Sequence, residues 1–388
     1  MIDKSLIRMY SLDTFLSEYK ILNLNNQYRP VAVGRYGIRT RESIYSKELA
    51  KDYSKNKLIF KGTLTVGMGS NQMDIGILSD DEVYSVSPAY HTYRITNINY
   101  DYLRYCLQCR NKDMFIRFMK RGSRQGKSID LKRWIKYKIP VYPSKIQLDI
   151  VKRLNLVQSI ILERKKELDN LEMFVKARFV EMFGDLALNP KNWTQVSLRE
   201  VCKEPDDIKC GPFGTQLGKD EYLSDGIPVW GIPQINKNFQ IPTYDFVSYE
   251  KATELSKFSL LPGDIAMSRK GNVGKCAIYP IGYPDGIIHS DVLRIRVDRN
   301  ICNPIFLMYQ LHFSRAVETQ INLVSHGAIM AGINVSKLKN IQIHIPSITL
   351  QNDFETFVQK ADKSKSAIQK SLDETQTLFN SLMQEYFG

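Results

Sequence analysis

Features that mark several classes of protein are missing from this chain of 388 residues. Residues 1–4 (Met-Ile-Asp-Lys) begin no apolar region typical of a secretory signal peptide, and no run of ~18 consecutive apolar residues occurs anywhere. No stretch of low complexity is present, and 43% of the residues are hydrophobic, which is enough for two domains with cores of their own. We therefore expect a folded cytoplasmic protein with no membrane contact.

The six cysteines and five histidines are too scattered to predict a disulfide framework or a metal site. Cys106 and Cys109 form one C-x-x-C within an aromatic segment of helical character. A structural zinc site needs four ligands, but no second pair lies at a suitable spacing. No two histidines are spaced H-x-x-x-H. The sequence predicts no bound metal.

Motifs of catalysis are also missing. Residues 303–306 (Asn-Pro-Ile-Phe) lack the second proline of an amino-methyltransferase loop, and residues 66–69 (Val-Gly-Met-Gly) are only a fragment of a glycine-rich cofactor loop. Residues 271–275 are too short for a P-loop. Residues 205–209 (Pro-Asp-Asp-Ile-Lys) imitate a metal-dependent nuclease signature, but in nucleases its parts lie on separate strands. We expect a protein that binds and positions other molecules, with no catalytic residue and no cofactor of its own.

An internal repeat is the most informative feature that is present. Gly126, Ile139 and Pro140 return as Gly332, Ile345 and Pro346, at a shift of 206 residues. From Gln147, which matches Gln351, to the two closing Phe-Gly pairs, the shift is 204. The period is too long for a solenoid and indicates tandem duplication with pseudo-two-fold symmetry. The predicted fold is α+β, with mixed α/β domains at 1–143 and 185–349 and long helices at 144–184 and 350–388.

Each predicted helix carries apolar residues at alternating steps of three and four, which is the pattern of a coiled-coil seam. The seam residues are Leu154, Val157, Ile161, Leu168, Leu171, Val175, Val358, Ala361, Ile368, Leu372, Phe379 and Leu382. Charges at Arg164, Arg178 and Lys365 favour one specific pairing, and the plain partner for each helix is the other one. The alternative is that each helix packs on its own domain. At ~1.5 Å per residue the helices would measure roughly 55–60 Å, so an antiparallel pair would hold two domains apart and inverted, as a reader of two sites on duplex DNA requires.

Positive charge is concentrated in the first domain. The net charge is +13, and residues 1–143 contain 25 Lys and Arg against 13 Asp and Glu, whereas residues 185–349 contain 17 against 16. Such an excess favours contacts with nucleic-acid phosphates, although ribosomal, membrane-surface and heparin-binding proteins share it.

Several segments together resemble one known family. They are residues 193–201 (Trp-Thr-Gln-Val-Ser-Leu-Arg-Glu-Val), 209–217 (Lys-Cys-Gly-Pro-Phe-Gly-Thr-Gln-Leu), 261–265 (Leu-Pro-Gly-Asp-Ile), 268–275 (Ser-Arg-Lys-Gly-Asn-Val-Gly-Lys), and Ile345-Pro346 followed by Gln351. In these segments the chain resembles the specificity subunit of a type I restriction-modification system. The first domain lacks the Trp-x-x-Val-x-Leu opening and the Gly-Pro-Phe-Gly segment.

The resemblance implies that the two domains are target-recognition domains, each reading one half of a split target in double-stranded DNA, while the paired helices set the spacer. It implies docking of two methyltransferase subunits and, through them, of restriction and translocase subunits. S-adenosylmethionine, ATP and Mg²⁺ would then belong to those partners. Half-sites are expected about one helical turn apart, ~34 Å, and the target adenine must leave the duplex to be methylated.

Loop residues with hydrogen-bond donors are the predicted DNA contacts, since Arg and Gln can pair with base edges and Lys more often meets phosphate. In the first domain they are Arg35, Arg39, Arg41, Lys120, Arg121, Arg124, Gln125 and Lys127. In the second domain they are Lys209, Thr215, Gln216, Lys219, Arg269, Lys270, Lys275, His289, Ser290, Ser325 and His326. For any one of them the alternative is a solvated surface side chain.

Two other functions fit the same sequence. One is the recognition subunit of a combined restriction-methylation enzyme that cuts on both sides of its site. The other is a coiled-coil scaffold whose basic domain binds protein or RNA without reading DNA sequence. A strong preference for one two-part DNA sequence would separate the scaffold from a reader.

Overall fold

The computed structural model describes residues 4–34, 37–44, 52–121, 127–325 and 332–388. The chain divides into two compact units, unit 1 with Met1–Lys166 and Gln369–Gly388, and unit 2 with Glu167–Ile368. Both units mix helices with β-sheets, and two 40-residue helices contribute to both. The predicted fold class of mixed α/β domains with two long helices is confirmed. The bounds of the four predicted segments stay a prediction.

Unit 1 is built on an antiparallel sheet in the strand order β2-β9-β6-β7. Two-stranded sheets join β1 to β12, β3 to β4, β5 to β8 and β10 to β11. The elements are β1 (Arg8–Ser11), β2 (Leu16–Tyr19), β3 (Val31–Gly34), β4 (Gly37–Thr40), β5 (Lys57–Ile59), β6 (Thr63–Met68), β7 (Met73–Ile77), β8 (Tyr84–Val86), β9 (His91–Ile95), α1 (Tyr100–Phe118), β10 (Met119–Arg121), β11 (Lys127–Ile129), α2 (Leu131–Trp134), β12 (Lys138–Val141) and the start of α3 (Ser144–Phe183).

Unit 2 contains two four-stranded sheets, β14-β21-β18-β19 and β16-β15-β20-β17, and the pair β13–β22. Among these pairings β15 with β20 is parallel and the rest are antiparallel. The elements are β13 (Thr194–Ser197), β14 (Ile208–Cys210), β15 (Ile227–Trp230), α4 (Ile232–Asn236), β16 (Phe246–Val247), α5 (Tyr249–Glu254), β17 (Ser259–Leu260), β18 (Ile265–Ser268), β19 (Cys276–Ile278), β20 (Gly286–Ile288), β21 (Val292–Ile295), α6 (Pro304–Phe313), α7 (Arg315–Ser325), α8 (Val335–Lys339), β22 (Gln342–Ile345) and α9 (Ile348–Phe387).

A glutamine at the start of each long helix locks that helix to its own unit. In unit 1, Gln147 is 3% exposed, accepts a hydrogen bond from the Asn99 backbone N–H at 3.1 Å and donates one to the Tyr142 carbonyl at 2.7 Å. Asn99 in turn caps α1, because its side chain accepts from the Tyr102 N–H. The buried amide therefore joins a loop, a helix N-terminus and a long helix, so its oxygen and its nitrogen both have hydrogen-bond partners.

Unit 2 repeats this lock with a constant shift of 204. Gln351 accepts from the Asn303 N–H at 2.8 Å and donates to the Pro346 carbonyl at 2.8 Å, and Asn303 caps α6. The match between Gln147 and Gln351 thus reflects one buried hydrogen-bond framework used twice.

The same shift of 204 extends upstream of the glutamines, so the predicted shift of 206 there is wrong. Asp130 caps α2 and Asn334 caps α8, and the buried Trp134 corresponds to Leu338. The Ile-Pro pairs suggest a different shift because they occupy different positions: Pro140 lies inside β12, whereas Pro346 follows β22.

Unit 1 also contains a structural equivalent of the opening that its sequence lacks. β1 pairs with β12, and the Leu12 N–H at the start of the following 3-10 turn donates to the Tyr137 carbonyl at 3.0 Å. In unit 2, β13 pairs with β22 and Leu198 donates to the Ile341 carbonyl at 2.8 Å. The backbone arrangement is repeated although the Trp and Val of the second opening are not, because backbone hydrogen bonds need no particular side chain.

The long helices run antiparallel within unit 2. Glu172 of α3 forms an ion pair with Lys365 of α9 at 3.0 Å, and further along α3 the rings of Phe179 and Phe183 lie 5.3 and 5.5 Å from that of Phe354. Later residues of α3 therefore face earlier residues of α9. Phe183 also packs on Phe306 of α6 at 4.7 Å, so the helices contact the sheet domain as well as each other.

The predicted seam is apolar and withdrawn from solvent. Leu154, Val157, Ile161, Val175, Val358, Ala361, Leu372 and Phe379 are buried, and Leu168, Leu171, Ile368 and Leu382 are half-buried. The seam charges are accommodated at its margin, with Lys365 paired to Glu172 and the Arg178 guanidinium 5.8 Å from the Phe357 ring.

Across the described ranges, no helix combines the length and the apolarity needed to span a lipid bilayer. In the same ranges, we find no group of three or more His, Cys, Asp or Glu side chains placed to hold a metal ion.

Candidate nucleic-acid interface

The glycine-rich loop after β14 is held tightly at its base and exposed at its tip. A Cβ on Gly211 would lie 2.2 Å from the His289 carbonyl oxygen, so only glycine fits there. Pro212 is buried, whereas Phe213 is 49% exposed and Thr215 is exposed. The loop thus presents an aromatic ring and a hydroxyl on a rigid support.

Arg269 connects this loop to two distant parts of the chain. Its guanidinium lies 4.8 Å from the centre of the Phe213 ring, and Nη1 donates to the Ser290 carbonyl and to the Cys210 sulfur, both at 3.3 Å. Its backbone N–H donates to the Asp291 carbonyl at 3.0 Å. The structure therefore brings together three segments that the sequence nominated separately.

Lys270 and His289 complete this cluster. Lys270 forms an ion pair with Asp291 at 2.8 Å, and the Asp291 N–H donates to Nδ1 of His289 at 3.1 Å. Because Nδ1 accepts, Nε2 carries the ring hydrogen in this arrangement. We name Phe213, Arg269, Lys270, His289 and Asp291 the unit 2 cluster. The cluster combines two cations, one carboxylate, an imidazole and an exposed phenyl ring. Side chains of these types can contact phosphates and base edges.

The remaining nominated residues of unit 2 have different surroundings. Gln216, Lys219 and Thr215 belong to the same loop region, and the Gln216 Oε1 accepts from the Phe213 N–H at 3.0 Å. Lys275 is half-buried at the end of the turn from β18. The backbone carbonyl of Ser290 is already engaged by Arg269.

Two nominated side chains of unit 2 have structural partners. Lys209 is paired with Asp206 and its ammonium lies 5.7 Å from the Phe258 ring, with 18% of its side chain exposed. Ser325 is 5% exposed and donates to the Asn322 carbonyl. Neither offers much surface to a ligand.

In unit 1, two nominated cations share one hollow. Arg41 and Lys127 line a cavity of about 450 Å³ with His91 and Ser87. Lys127 Nζ donates to the Ser70 carbonyl at 2.7 Å, and the Arg41 guanidinium lies 5.2 Å from the Tyr53 ring. The hollow combines cations with apolar β3 residues, a combination suited to a phosphate with its sugar or base.

The other nominated residues of unit 1 are less concentrated. Arg39 lies on β4 opposite Ala32. Lys120 pairs with Asp130 at 2.8 Å, which lowers the pKa of that carboxyl, and Asp130 also caps α2. Only the backbone of Arg121 is described, in β10 opposite Lys127. Arg35, Arg124, Gln125 and His326 lie outside the described residues.

Phe213 and Asp291 were not among the nominated contacts. The only sequence signal for Phe213 was an aromatic residue between two turn glycines, and such a residue is more often buried. Asp291 was overlooked because an acidic side chain is unexpected next to DNA, although a carboxylate can accept from a cytosine amino group.

A buried cysteine and a half-buried histidine form a pair elsewhere in unit 2. The Cys276 sulfur is 3.2 Å from Nε2 of His312, which also accepts from the Cys276 N–H at 3.1 Å. Burial raises the pKa of the Cys276 thiol to about 12 and lowers the pKa of His312 to about 4. Both groups are therefore neutral near pH 7, whereas a nucleophilic cysteine needs a thiolate.

Comparisons with known proteins agree on one family. The family model of the type I restriction modification DNA specificity domain matches residues 18–173 and again residues 190–377. The chain is 24% identical over 203 residues to the putative type I restriction enzyme MjaX specificity subunit of Methanocaldococcus jannaschii, a match that spans 51% of this chain and about half (46%) of that protein.

Among the solved structures with a similar fold, two match all or nearly all of the chain. The S subunit of a type I restriction-modification system from M. genitalium has a TM-score of 0.59 at 13% identity, covering 100% of this chain and 98% of that one. A chain from a structure of the type I R-M system, concerned with complex assembly and conformational transition, has a TM-score of 0.58 at 16% identity, covering 98% and 97%.

Proposed function

The chain belongs to the family of type I restriction modification DNA specificity domains, and from this premise we propose that it is a DNA-recognition subunit that reads a two-part target, one half with each unit. The reading would require no catalysis by this chain. Adenine methylation and DNA cleavage would be carried out by partner subunits.

One observation carries this proposal: the two units share a buried framework but differ in their exposed loops. The Asn99–Gln147 lock of unit 1 and the Asn303–Gln351 lock of unit 2 are equivalent. The glycine-rich loop with Phe213 has no sequence counterpart in unit 1. A common frame with different loops is what two half-sites of different sequence require, since specificity resides in groups added to a fold.

The proposed contacts are drawn from the two clusters. In unit 2, Arg269 and Asp291 would read base edges, Lys270 would meet phosphate and Phe213 would stack on a sugar or base. In unit 1, Arg41 and Lys127 would hold the backbone beside their hollow. Arg269 is the strongest candidate for base reading, because packing on Phe213 restricts a guanidinium that can donate two parallel hydrogen bonds.

Exposed apolar side chains on the long helices support docking of partner subunits. Leu156 and Leu162 in unit 1 are 63% and 59% exposed, and Met173 and Phe174 in unit 2 are 62% and 56% exposed. Large apolar side chains exposed along a helix are candidates for a protein interface. We propose that methyltransferase subunits cover them, with restriction subunits bound in turn, and that S-adenosylmethionine, ATP and Mg²⁺ bind to those partners.

Selection of DNA from a random duplex pool tests the proposal. The chain would be purified in complex with the methyltransferase of the same system, and bound duplexes would be sequenced. We expect two short conserved blocks separated by a gap of fixed length and free composition. Recovery of a single block would contradict the two-part target, and recovery of no preferred sequence would favour the scaffold function.

A further inference from the structure

A second hollow in unit 1 is strongly basic and belongs to none of the predicted contacts. It measures about 640 Å³ and is lined by the C-terminal half of α1, by α2 and by the start of β12. Its cations are Arg110, Arg117, Lys132, Arg133, Lys136 and Lys138, and among the described residues that line it there is no Asp or Glu. We call this surface the basic hollow.

Three of these cations have neither an ion pair nor a side-chain hydrogen bond within the described part of the chain. Arg117 pairs with Asp113 and Lys136 with Asp13, and Arg110 donates to the Tyr137 hydroxyl at 3.2 Å. The other three, Lys132, Arg133 and Lys138, are exposed, and they form no ion pair with any part of the chain that the structure describes. Six cations at one surface outnumber the carboxylates beside them and repel one another, so a bound anion would stabilise the arrangement.

The fold itself does not need the lysine charges. At the constant shift of 204, Lys132, Lys136 and Lys138 correspond to Ser336, Asn340 and Gln342 of unit 2, whereas Arg133 corresponds to another cation, Lys337. Those residues lie in or beside the equivalent helix and strand, α8 and β22, which form without the lysines. Because the same framework folds with neutral side chains at these three positions, unit 1 does not require lysines there to fold.

We propose that the basic hollow binds the phosphate backbone of DNA outside the bases that unit 1 reads, and so supplies sequence-independent affinity that unit 2 does not match. This inference rests on the proposed function. Flexible lysine side chains around a concave surface suit a row of phosphates, whereas lysine is depleted in the buried centre of protein–protein interfaces. Part of the excess positive charge of residues 1–143 lies at this surface.

Salt dependence gives a direct test. The triple variant Lys132→Gln, Arg133→Gln and Lys138→Gln would be compared with wild type in the full complex with the methyltransferase, by fluorescence anisotropy on a random-sequence duplex over a series of KCl concentrations. Removing one phosphate contact reduces the slope of log affinity against log salt by ~0.9, so we expect the slope of the triple variant to be smaller by ~2 to 3. The preference for target over random DNA should not change.

A matched control removes the same charge elsewhere in unit 1. Lys20, Lys55 and Lys112 are exposed and lie outside the hollow. Their triple substitution by Gln should change the slope by less than one phosphate contact would. The double variant Lys132→Arg and Lys138→Arg should retain the wild-type slope, because a phosphate contact needs only the charge. Thermal unfolding of each variant would show that the fold is kept.

Three results would overturn the inference. The first is an unchanged salt slope in the triple variant with normal binding of the methyltransferase. The second is an equal decrease of the slope in the control variant. The third is an unchanged slope with weaker binding of the methyltransferase, which would make the hollow a protein-binding surface. Failure of the proposed function is a different result, since the wild-type complex itself would then show no preference between target and random duplex.

Discussion

Arg269 is the residue on which the reading function of unit 2 depends most. Its guanidinium is held over the Phe213 ring and by two acceptors at 3.3 Å. If it pairs with a base edge, Arg269→Ala should lower affinity for the target by ~10- to 100-fold, because a bidentate contact contributes ~1–3 kcal/mol to discrimination. Affinity for random duplex should fall much less, as measured by anisotropy on both duplexes.

The control for this prediction is Arg199→Ala. Arg199 is another half-buried arginine of unit 2, and it donates to the Cys202 carbonyl at 2.8 Å in the framework turn after β13. It should leave target preference intact. An equal loss of affinity for Arg269→Ala on target and random DNA would make Arg269 a phosphate contact and contradict base reading.

His312 predicts how stability depends on pH. Burial lowers its pKa in the folded protein to about 4, while an unfolded chain binds the proton near pH ~6.5. Between these values the unfolded state holds more protons, so stability falls as the pH drops from ~6.5 towards 4. His312→Gln should remove part of this decrease, which urea unfolding at pH 7 and pH 5 would measure. Identical pH dependence in both proteins would contradict the assignment.

The sequence predicts which loop residues could contact DNA but not which side chains they meet in the fold. The sequence nominated Arg269, Lys270 and His289 from turn signals, and the structure brings them together. Lys209 was nominated for the same reason, but it pairs with Asp206. In the sequence, a basic residue beside a turn looks the same whether its side chain is available for DNA or paired with a carboxylate. Only the tertiary structure decides which carboxylate lies within reach.

At the scale of elements, the long helices were predictable because their pattern is local. Steps of three and four mark the seam, and its residues are buried or half-buried. The phenylalanine cluster around Phe354 could not be predicted from the seam, because Phe179, Phe183 and Phe354 lie beside the predicted seam positions and meet only through tertiary packing. The opening of unit 1 was missed for a related reason, since strand pairing by backbone atoms leaves no sequence motif.

Phe354→Ala tests the packing of α9 in unit 2. The side chain is fully buried and its ring lies within 5.5 Å of the rings of Phe179, Phe183 and Tyr309. Removing it should lower the free energy of unfolding by ~3–5 kcal/mol. Urea unfolding would measure the change, and Phe357→Ala, at a half-buried position on the same helix, should cost less. Equal effects of the two substitutions would contradict the central place of Phe354.

For the whole molecule, the long helices are the proposed determinant of the gap in the target. Deleting one heptad from both α3 and α9 preserves the seam and shortens each helix by ~10 Å. We expect the gap between the two half-sites to shorten while each half-site keeps its sequence, as read by selection from random duplexes. An unchanged gap with reduced stability would contradict the spacer function.

At the scale of the whole molecule, the repeat was the most informative feature of the sequence. It predicted duplicated domains with paired helices, and the family match covers both copies. Its register before Gln147 was wrong because short sequence matches outweighed the helix caps and the strands β12 and β22, which repeat at a shift of 204. The sequences of the half-sites cannot be predicted from the repeat, because the geometry of the protein–DNA complex determines which base is recognised.

The proposed function as a whole requires that this chain direct a methyltransferase to a two-part DNA sequence. Single-molecule sequencing of DNA from cells that co-express the chain with the methyltransferase of its system measures this. We predict methylated adenines in one motif of two blocks with a fixed gap, one block changing when residues 1–143 are exchanged for those of a relative and the other when residues 185–349 are exchanged. Methylation with no such motif, or a motif unaffected by either exchange, would contradict the proposed function.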